Sequence, residues 1–421
     1  MSSKGTFFQV FLLFSCLIAS YCFLSALYSC PSLHLCSCSP SAIECVCPRG
    51  NEKLEFPVIV DPDVRAITVH NCGNVTLPYY MLSNHELEEV KFTNIEELHV
   101  NTLAFSGTIR LDLLYLRNIG NLVLQKHSFF GLNNVTSVEL RNVSVQHVGI
   151  ATFAGYSNVE EVVIRDSRIA LIEGFGFNLA NISVLRVFNT RVEYLQNASI
   201  WVSGINSVVF DNDTFLYTDD SAFVLTDVGM FNMTHCHFAH VHSEMVVGKD
   251  VNQFIFEGNN VEMIGENAFW HLAAKTRIRV ADNKFSSTEK DSLYLFESPG
   301  LRIEFFHNAF VCDCQIFWLW ENMGYHKYTD LFNSGYCFNP EELRGLPLAN
   351  VTPVYVEGTE SCAGFAGAED NALTQTTIQH KVKQDAVRMS RTGKNELGFA
   401  WCVVVSMSFL YRCYLCESWA R

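Results

Sequence analysis

Positive charge is scarce in this chain of 421 residues: 29 lysines and arginines stand against 44 aspartates and glutamates, a formal net charge of −15. A phosphate backbone is held by a basic face, so this balance argues against a nucleic-acid partner. Catalytic signatures are missing too. There is no His-Glu-x-x-His motif, no Gly-x-Ser-x-Gly turn and no glycine-rich phosphate loop. Scattered Ser, His and Asp carry no chemistry without shared geometry, so the reading is of a protein that is not an enzyme and uses no cofactor. Cysteine is nearly absent from the middle of the chain, where only Cys236 occurs between Cys72 and Cys312.

The sixteen cysteines crowd the ends. Cys30, Cys36, Cys38, Cys45, Cys47 and Cys72 form one group, and Cys312, Cys314, Cys337 and Cys362 another. Upstream of them Lys4 precedes an almost wholly apolar or small run over 7–27. Residues 1–29 read as a secretory signal peptide, with an uncleaved anchor as the alternative. In an oxidising compartment the two groups imply disulfide-stapled ends around a middle that needs none. Asn-x-Ser/Thr triplets at Asn74, Asn134, Asn142, Asn181, Asn197, Asn212, Asn232 and Asn350 fit the same compartment.

What fills the middle is a repeat. The frame apolar-x-x-apolar-x-apolar-x-Asn is met by Leu87, Val90, Phe92 and Asn94, by Leu111, Leu114, Leu116 and Asn118, and by Val135, Val138, Leu140 and Asn142. Val159 to Asp166, Ile182 to Asn189 and Ile205 to Asn212 continue it at 23 or 24 residues per step. Val228 and Val251 open weaker frames, in which His235 and Gly258 replace the Asn. Ile278, Val280 and Asp282, then Ile303 and Phe305, close the array, and Val64, Ile67, Val69 and Asn71 open it. Eleven residues after the Asn position a second column appears: Phe105, Phe129, Phe153, Phe177, Phe223 and Phe269. The array holds about ten to eleven repeats, well above the roughly three that a stable stack needs. Each turn is expected to give one short strand with the first, fourth and sixth frame residues inward. The Asn is expected to turn inward and satisfy backbone groups, with looser turns at His235 and Gly258. A glycan on Asn142 or Asn212 would then be incompatible with the fold. Asn134 and Asn181 precede the strand, Asn74 and Asn197 fall in the turn after it, and Asn232 lies on the sheet.

This pattern resembles the extracellular leucine-rich-repeat family. The run Cys30-Pro31, Cys36-x-Cys38, Ile43-Glu44-Cys45 resembles its N-terminal cap. The run Asn308-Ala309-Phe310-Val311-Cys312-Asp313-Cys314, then Trp318-Leu319, Cys337-x-x-Pro340 and Cys362, resembles its C-terminal cap. The resemblance implies an α/β solenoid: a leucine-rich-repeat horseshoe with short parallel strands on the concave face, an irregular or short helical convex side and disulfide caps at both ends. It implies the pairs Cys30–Cys38, Cys36–Cys45, Cys312–Cys337 and Cys314–Cys362. Cys47 and Cys72, which the usual cap lacks, are left for each other, although sequence alone leaves the N-terminal pairing open. The organisation is then signal peptide 1–29, N-terminal cap 30–63, repeats 64–307, C-terminal cap 308–362, stalk 363–396 and candidate membrane anchor 397–416.

Residues 397–411 lack charge, and a helix of that length spans only ~22 Å of a ~30 Å bilayer core. Extending it to Cys416 includes Arg412, which can snorkel. A transmembrane anchor, a lipid-anchor signal and a secreted chain with an apolar terminus all remain open, with Cys413 and Cys416 as acylation candidates under the first.

Two features bear on binding. His235, Cys236, His237, His240 and His242 have metal-like spacing, but consecutive turn residues point different ways, which favours irregular packing. On the concave face the seventh frame position reads Arg117, Arg141 and Arg165 in successive repeats, with Tyr115 and Phe188 beside them. Strands ~4.8 Å apart would stack these arginines into a basic stripe, unless Glu139, Glu160, Glu161 and Asp112 neutralise it. The expected function is extracellular recognition or adhesion. A protein or glycan ligand would sit on the concave face of a cell-surface receptor or co-receptor that signals, if at all, through a membrane partner. The alternative is a secreted matrix or structural protein.

Overall fold

The computed structural model describes residues 30–32, 34–58, 60–295, 299–321 and 328–351. The chain forms two units, 1–366 and 367–421, and every described residue belongs to the first. The segments expected to be signal peptide, stalk and anchor, and Cys362, Cys413 and Cys416, lie outside the described residues. Among the described residues no helix is long and apolar enough to cross a membrane.

The chain is a parallel β-solenoid of about twelve turns. Inward positions follow the apolar frame: Leu87, Val90 and Phe92 are buried, as are their counterparts in each later turn. Glu86–Val100 pairs in parallel with Arg110–Leu124, that strand with Asn133–Val148, and so on through Arg302–Phe306. The stack starts before residue 64, because Ala42–Val46 already pairs in parallel with Ala66–His70.

The Asn position differs from expectation. Asn94, Asn118, Asn142, Asp166, Asn189, Asn212, His235, Gly258, Asp282 and His307 all take positive φ, between 50° and 69°. This left-handed conformation bends the chain and throws the side chain outward. Asn, Asp, His and Gly are the residues that tolerate it best. Asn142 and Asn212 are therefore exposed rather than inward. The amides form an outer row, with Asn94, Asn118 and Asn142 each donating Nδ2–H to Oδ1 one turn back at 3.0, 2.8 and 2.9 Å. His235 and Gly258 take the same bend; the strands before His235 stay in register, while Val246–Glu257 meets Leu272–Ala281 with register shifts between Gly248 and Gln253 and regains register over Gln253–Glu257.

The inward polar row stands one residue later. Asn283 accepts the N–H of Asn259 at 2.9 Å and donates Nδ2–H to the Phe256 carbonyl at 2.8 Å. Asn259 and Asn308 repeat this arrangement in the neighbouring turns. Each amide pairs backbone groups that burial would otherwise orphan.

After the bend comes a second face of strand, Arg168–Ile172, Arg191–Leu195, Thr214–Thr218, His237–Val241 and Asn260–Ile264 among others. A second positive-φ bend at Leu103, His127, Ala151, Phe175, Ala198, Ser221, Glu244 and Asn267 leads to a third face. That face holds Phe153–Ala154, Phe177–Ala180 and the first residues of Ile200–Asp211, Phe223–Thr234 and Val246–Glu257. The backing is thus strand in the middle turns and irregular, as expected, at 102–107, 126–131 and 266–271, while helix among the described residues is confined to the segment from Cys314 to Asn350. The Phe column lies beneath this third face. Phe129, Phe153 and Phe177 stack at centroid distances of 5.0 and 4.5 Å, matching the ~4.8 Å strand spacing.

Both ends are covered. Cys36–Cys38 runs antiparallel to Ala42–Val46 and shields the first edge, held by Cys30–Cys38 and Cys36–Cys45, with Cys47–Cys72 joining successive turns. At the other end the helix Thr329–Ser334 sits against strand Arg302–Phe306, and Ser334 Oγ donates to the Phe305 carbonyl. The Cys312–Cys337 bond ties strand Ala309–Val311 to Tyr336–Asn339. Cys314 is disulfide-bonded, and the pairing expected with Cys362 falls outside the described residues. Such covers keep an open strand edge from recruiting another chain.

Candidate ligand-binding face

Third, fifth and seventh frame residues point outward on the first face, since strand side chains alternate. Arg117 is in register with Arg141, Arg141 with Arg165, and Arg165 with Phe188. Tyr115 sits between Lys91 and Glu139 in the adjoining column. The residues expected to form a stripe are therefore brought together.

Their charges are unequally balanced. Arg165 Nη2 lies 2.9 Å from Glu139 Oε1, and Arg141 Nε lies 3.5 Å from Asp166 Oδ2. Glu161 binds Arg186 at 2.5 Å and Asp112 binds Arg110 at 2.7 Å, so neither neutralises the stripe. Arg117 is exposed and has no carboxylate partner among the described residues. Asp166, the residue at the outward bend, was missed as a partner because its side chain was expected to turn inward.

Further along the face the surface changes. Val163, Val184, Phe188, Val209, Met230 and Ile255 form a half-buried apolar stretch. Asn232 lies within it, between Val209 and Ile255, and its Oδ1 is buried without a hydrogen bond. At the C-terminal end Arg277, Arg279 and Arg302 surround Glu304 at 2.7, 3.4 and 2.6 Å. Burial pushes Glu304 up, but the three guanidinium groups outweigh it and hold the carboxyl below its usual range.

The remaining triplets are scattered. Asn134, Asn181 and Asn197 are exposed, the first two at positive-φ bends, and Asn350 is exposed near the C-terminal end. Asn74 lies in a strand of the second face rather than in a turn, half-buried, donating to Glu97 at 2.8 Å. The His-Cys cluster diverges. His235 faces out and meets Asp211 at 3.0 Å, and His237 meets Glu262 at 3.3 Å. His240 stacks on Tyr217, while Cys236 points into the core, where burial pushes its thiol up. Among the described residues no three metal-ligating groups converge.

The family described as right handed beta helix region matches residues 128–285 and again 175–328. A comparison with curated proteins finds no match. Among solved structures the chain is similar to one from the Drosophila Toll–Spatzle complex, with 14% identity and a TM-score of 0.31, covering 70% of this chain and 48% of that one. It is also similar to human 5T4, Wnt-activated inhibitory factor 1 or trophoblast glycoprotein, with 15% identity and a TM-score of 0.30, covering 77% of this chain and 98% of that one. The chain spans about half the length of the first.

Proposed function

We propose that this chain is an extracellular recognition protein that binds a protein or glycan ligand on the first face of its solenoid and catalyses no reaction. The observation that carries the reading is the in-register column Arg117, Arg141 and Arg165, in which the first arginine has no carboxylate partner among the described residues and the second has only a 3.5 Å contact. A stacked row of like charges costs stability, which a ligand bearing carboxylate or sulfate groups would recover through bidentate hydrogen bonds. The disulfides and the cysteine-rich ends that resemble leucine-rich-repeat caps fit an oxidising, extracellular setting. On this reading residues 397–416 attach the protein to the cell surface, and signalling passes through a membrane partner. The test is binding of the full-length protein and its Arg117→Ser, Arg141→Ser, Arg165→Ser triple variant to a sulfated polysaccharide and to intact cells. Loss of binding with unchanged folding is expected. Equal binding by both proteins would remove the arginine column from the reading.

A further inference from the structure

The outer row of amides contains two Asn-x-Ser/Thr triplets, Asn142-Val143-Ser144 and Asn212-Asp213-Thr214. At both, the middle residue is buried in the core, while the asparagine is exposed and the hydroxyl residue half-exposed at the outward bend. Each asparagine uses one N–H in the row. Asn142 donates to Asn118 at 2.9 Å and Asn212 to Asn189 at 2.6 Å. In a head-to-tail row of amides the proton used is the one opposite the group's own carbonyl, so the second proton is free. N-glycosylation replaces one proton and leaves a secondary amide that can still donate.

A second observation concerns Asn142 alone. The row breaks beyond it, because Asp166 has no N–H to offer the Oδ1 of Asn142. Asp166 instead accepts from Asn189 at 3.2 Å and meets Arg141. Both Asp166 oxygens are thus engaged, while the Oδ1 of Asn142 receives no donor from the next turn of the row; the two residues stand in adjoining turns. They border an open groove of about 460 Å³, lined also by Asn118, Gly120, Ser144 and Arg168. A group rich in hydroxyls would supply the donor that Asn142 lacks and receive hydrogen bonds from Ser144 and from the N–H groups that Arg168 does not spend on Glu193 at 2.7 and 2.8 Å.

We propose that Asn142 and Asn212 carry N-linked glycans and that the first sugars of the Asn142 glycan lie in this groove. The inference rests on the extracellular reading above. The chemistry is transfer from a lipid-pyrophosphate-linked oligosaccharide. The sugar C1–O bond to pyrophosphate breaks, the C1–Nδ2 bond forms, and the displaced amide proton passes to a base. A glycan on either residue projects from a bend of the folded solenoid without opening an inward hydrogen bond.

The experiment expresses the full chain in secretory cells and isolates the folded protein. Occupancy at each triplet is then read by enzymatic deglycosylation in heavy-oxygen water and mass spectrometry. Occupancy of most molecules at Asn142 and Asn212 is expected. Occupancy at Asn134 or Asn197 with none at Asn142 and Asn212 would overturn the proposal alone, and glycan at no triplet would overturn it together with the extracellular reading. The groove has its own readout. Deglycosylation under native conditions should be about tenfold slower at Asn142 than at Asn212, and Arg168→Ala should abolish the difference. Equal release rates in the unaltered protein would overturn the assignment of the groove.

Discussion

Asp213 Oδ1 accepts the N–H of Thr190 at 2.7 Å, in the same inward slot where Asn283 accepts the N–H of Asn259 at 2.9 Å. The two residues differ at their other atom. Asn283 offers Nδ2–H to a carbonyl one turn back, whereas Asp213 Oδ2 is buried without a hydrogen-bond partner. Burial pushes the Asp213 carboxyl up to about 8; the Thr190 N–H pulls it down and nearby Asp211 adds to the rise. At neutral pH the folded protein therefore holds a proton that the unfolded chain releases near 3.8, the ordinary aspartate value.

The first prediction follows from that difference. Because the folded state binds the extra proton, stability falls as pH rises from about 4 to about 8 and levels off above. Asp213→Asn replaces a donor that is lost on titration with an N–H that does not titrate. It should raise stability at pH 7 by roughly 1–3 kcal/mol and flatten the dependence over that window. Chemical denaturation of both proteins at pH 5, 7 and 9 tests this. An Asn variant no more stable than the parent at pH 7 would refute the assignment of Asp213 as a protonated stand-in for asparagine.

Much of the solenoid was legible in the sequence, and the rest was hidden for a definable reason. Val90, Phe92 and Phe105 recur at one period, and burial alone places such residues inside. Their spacing therefore revealed a parallel stack, the inward positions and the alignment of Arg117 with Arg141. The sense of the Asn was not legible. An Asn two residues past the last inward strand position can turn in as a hydrogen-bonding group or out as a left-handed bend, and composition does not separate the two. The signal lay one residue on, where Asn259, Asn283 and Asn308 keep the period of the frame while the preceding position drifts to Gly258, Asp282 and His307. The second strand face was obscured because outward residues that share a register position, such as Ala170, Glu193 and Leu216, do not repeat in type.

The second prediction separates the two amide rows. Asn283→Ala removes an acceptor from the Asn259 N–H and a donor from the Phe256 carbonyl, both buried, and should cost about 2–5 kcal/mol. Asn118→Ala removes bonds at an exposed bend and puts alanine in the left-handed region, and should cost about 1–2 kcal/mol. Denaturation midpoints with equal denaturant slopes give the comparison. A cost for Asn118→Ala as large as that for Asn283→Ala would contradict the assignment of inner and outer rows.

The third prediction concerns the Phe column. Phe153 is buried between Phe129 and Phe177, with rings at 5.0 and 4.5 Å. Phe153→Ala should cost about 3–5 kcal/mol through lost burial and an unfilled cavity. Phe153→Leu should recover part of this, because it refills volume but not the stacking. Thermal unfolding with ring-sensitive near-ultraviolet dichroism distinguishes the effects, and an Ala variant with an unchanged midpoint would show that the column carries no load.

The last prediction ranks the arginines. Arg117 is exposed, in register with Arg141 and without a carboxylate partner among the described residues, so the folded state loses little relative to the unfolded chain when it is replaced. Arg117→Ser should leave stability within about 0.5 kcal/mol, or raise it slightly by relieving repulsion from Arg141. Arg165 is different. Its removal strands the half-buried Glu139, so Arg165→Ser should destabilise more while weakening an anionic ligand less, because that guanidinium is already engaged. Glu139→Gln reverses the logic: it releases Arg165 and should strengthen binding of a sulfated polysaccharide. Titrations at about 50 and 300 mM salt separate charge from shape, since exposed charges are screened over about 10 Å at 0.1 M. The expected order of binding loss is Arg117→Ser first, Arg141→Ser second and Arg165→Ser last, with the salt dependence shallowest for the first. A reversed order, or weaker binding on Glu139→Gln, would mean that the ligand reads the paired arginine and that the free charge of Arg117 plays no part.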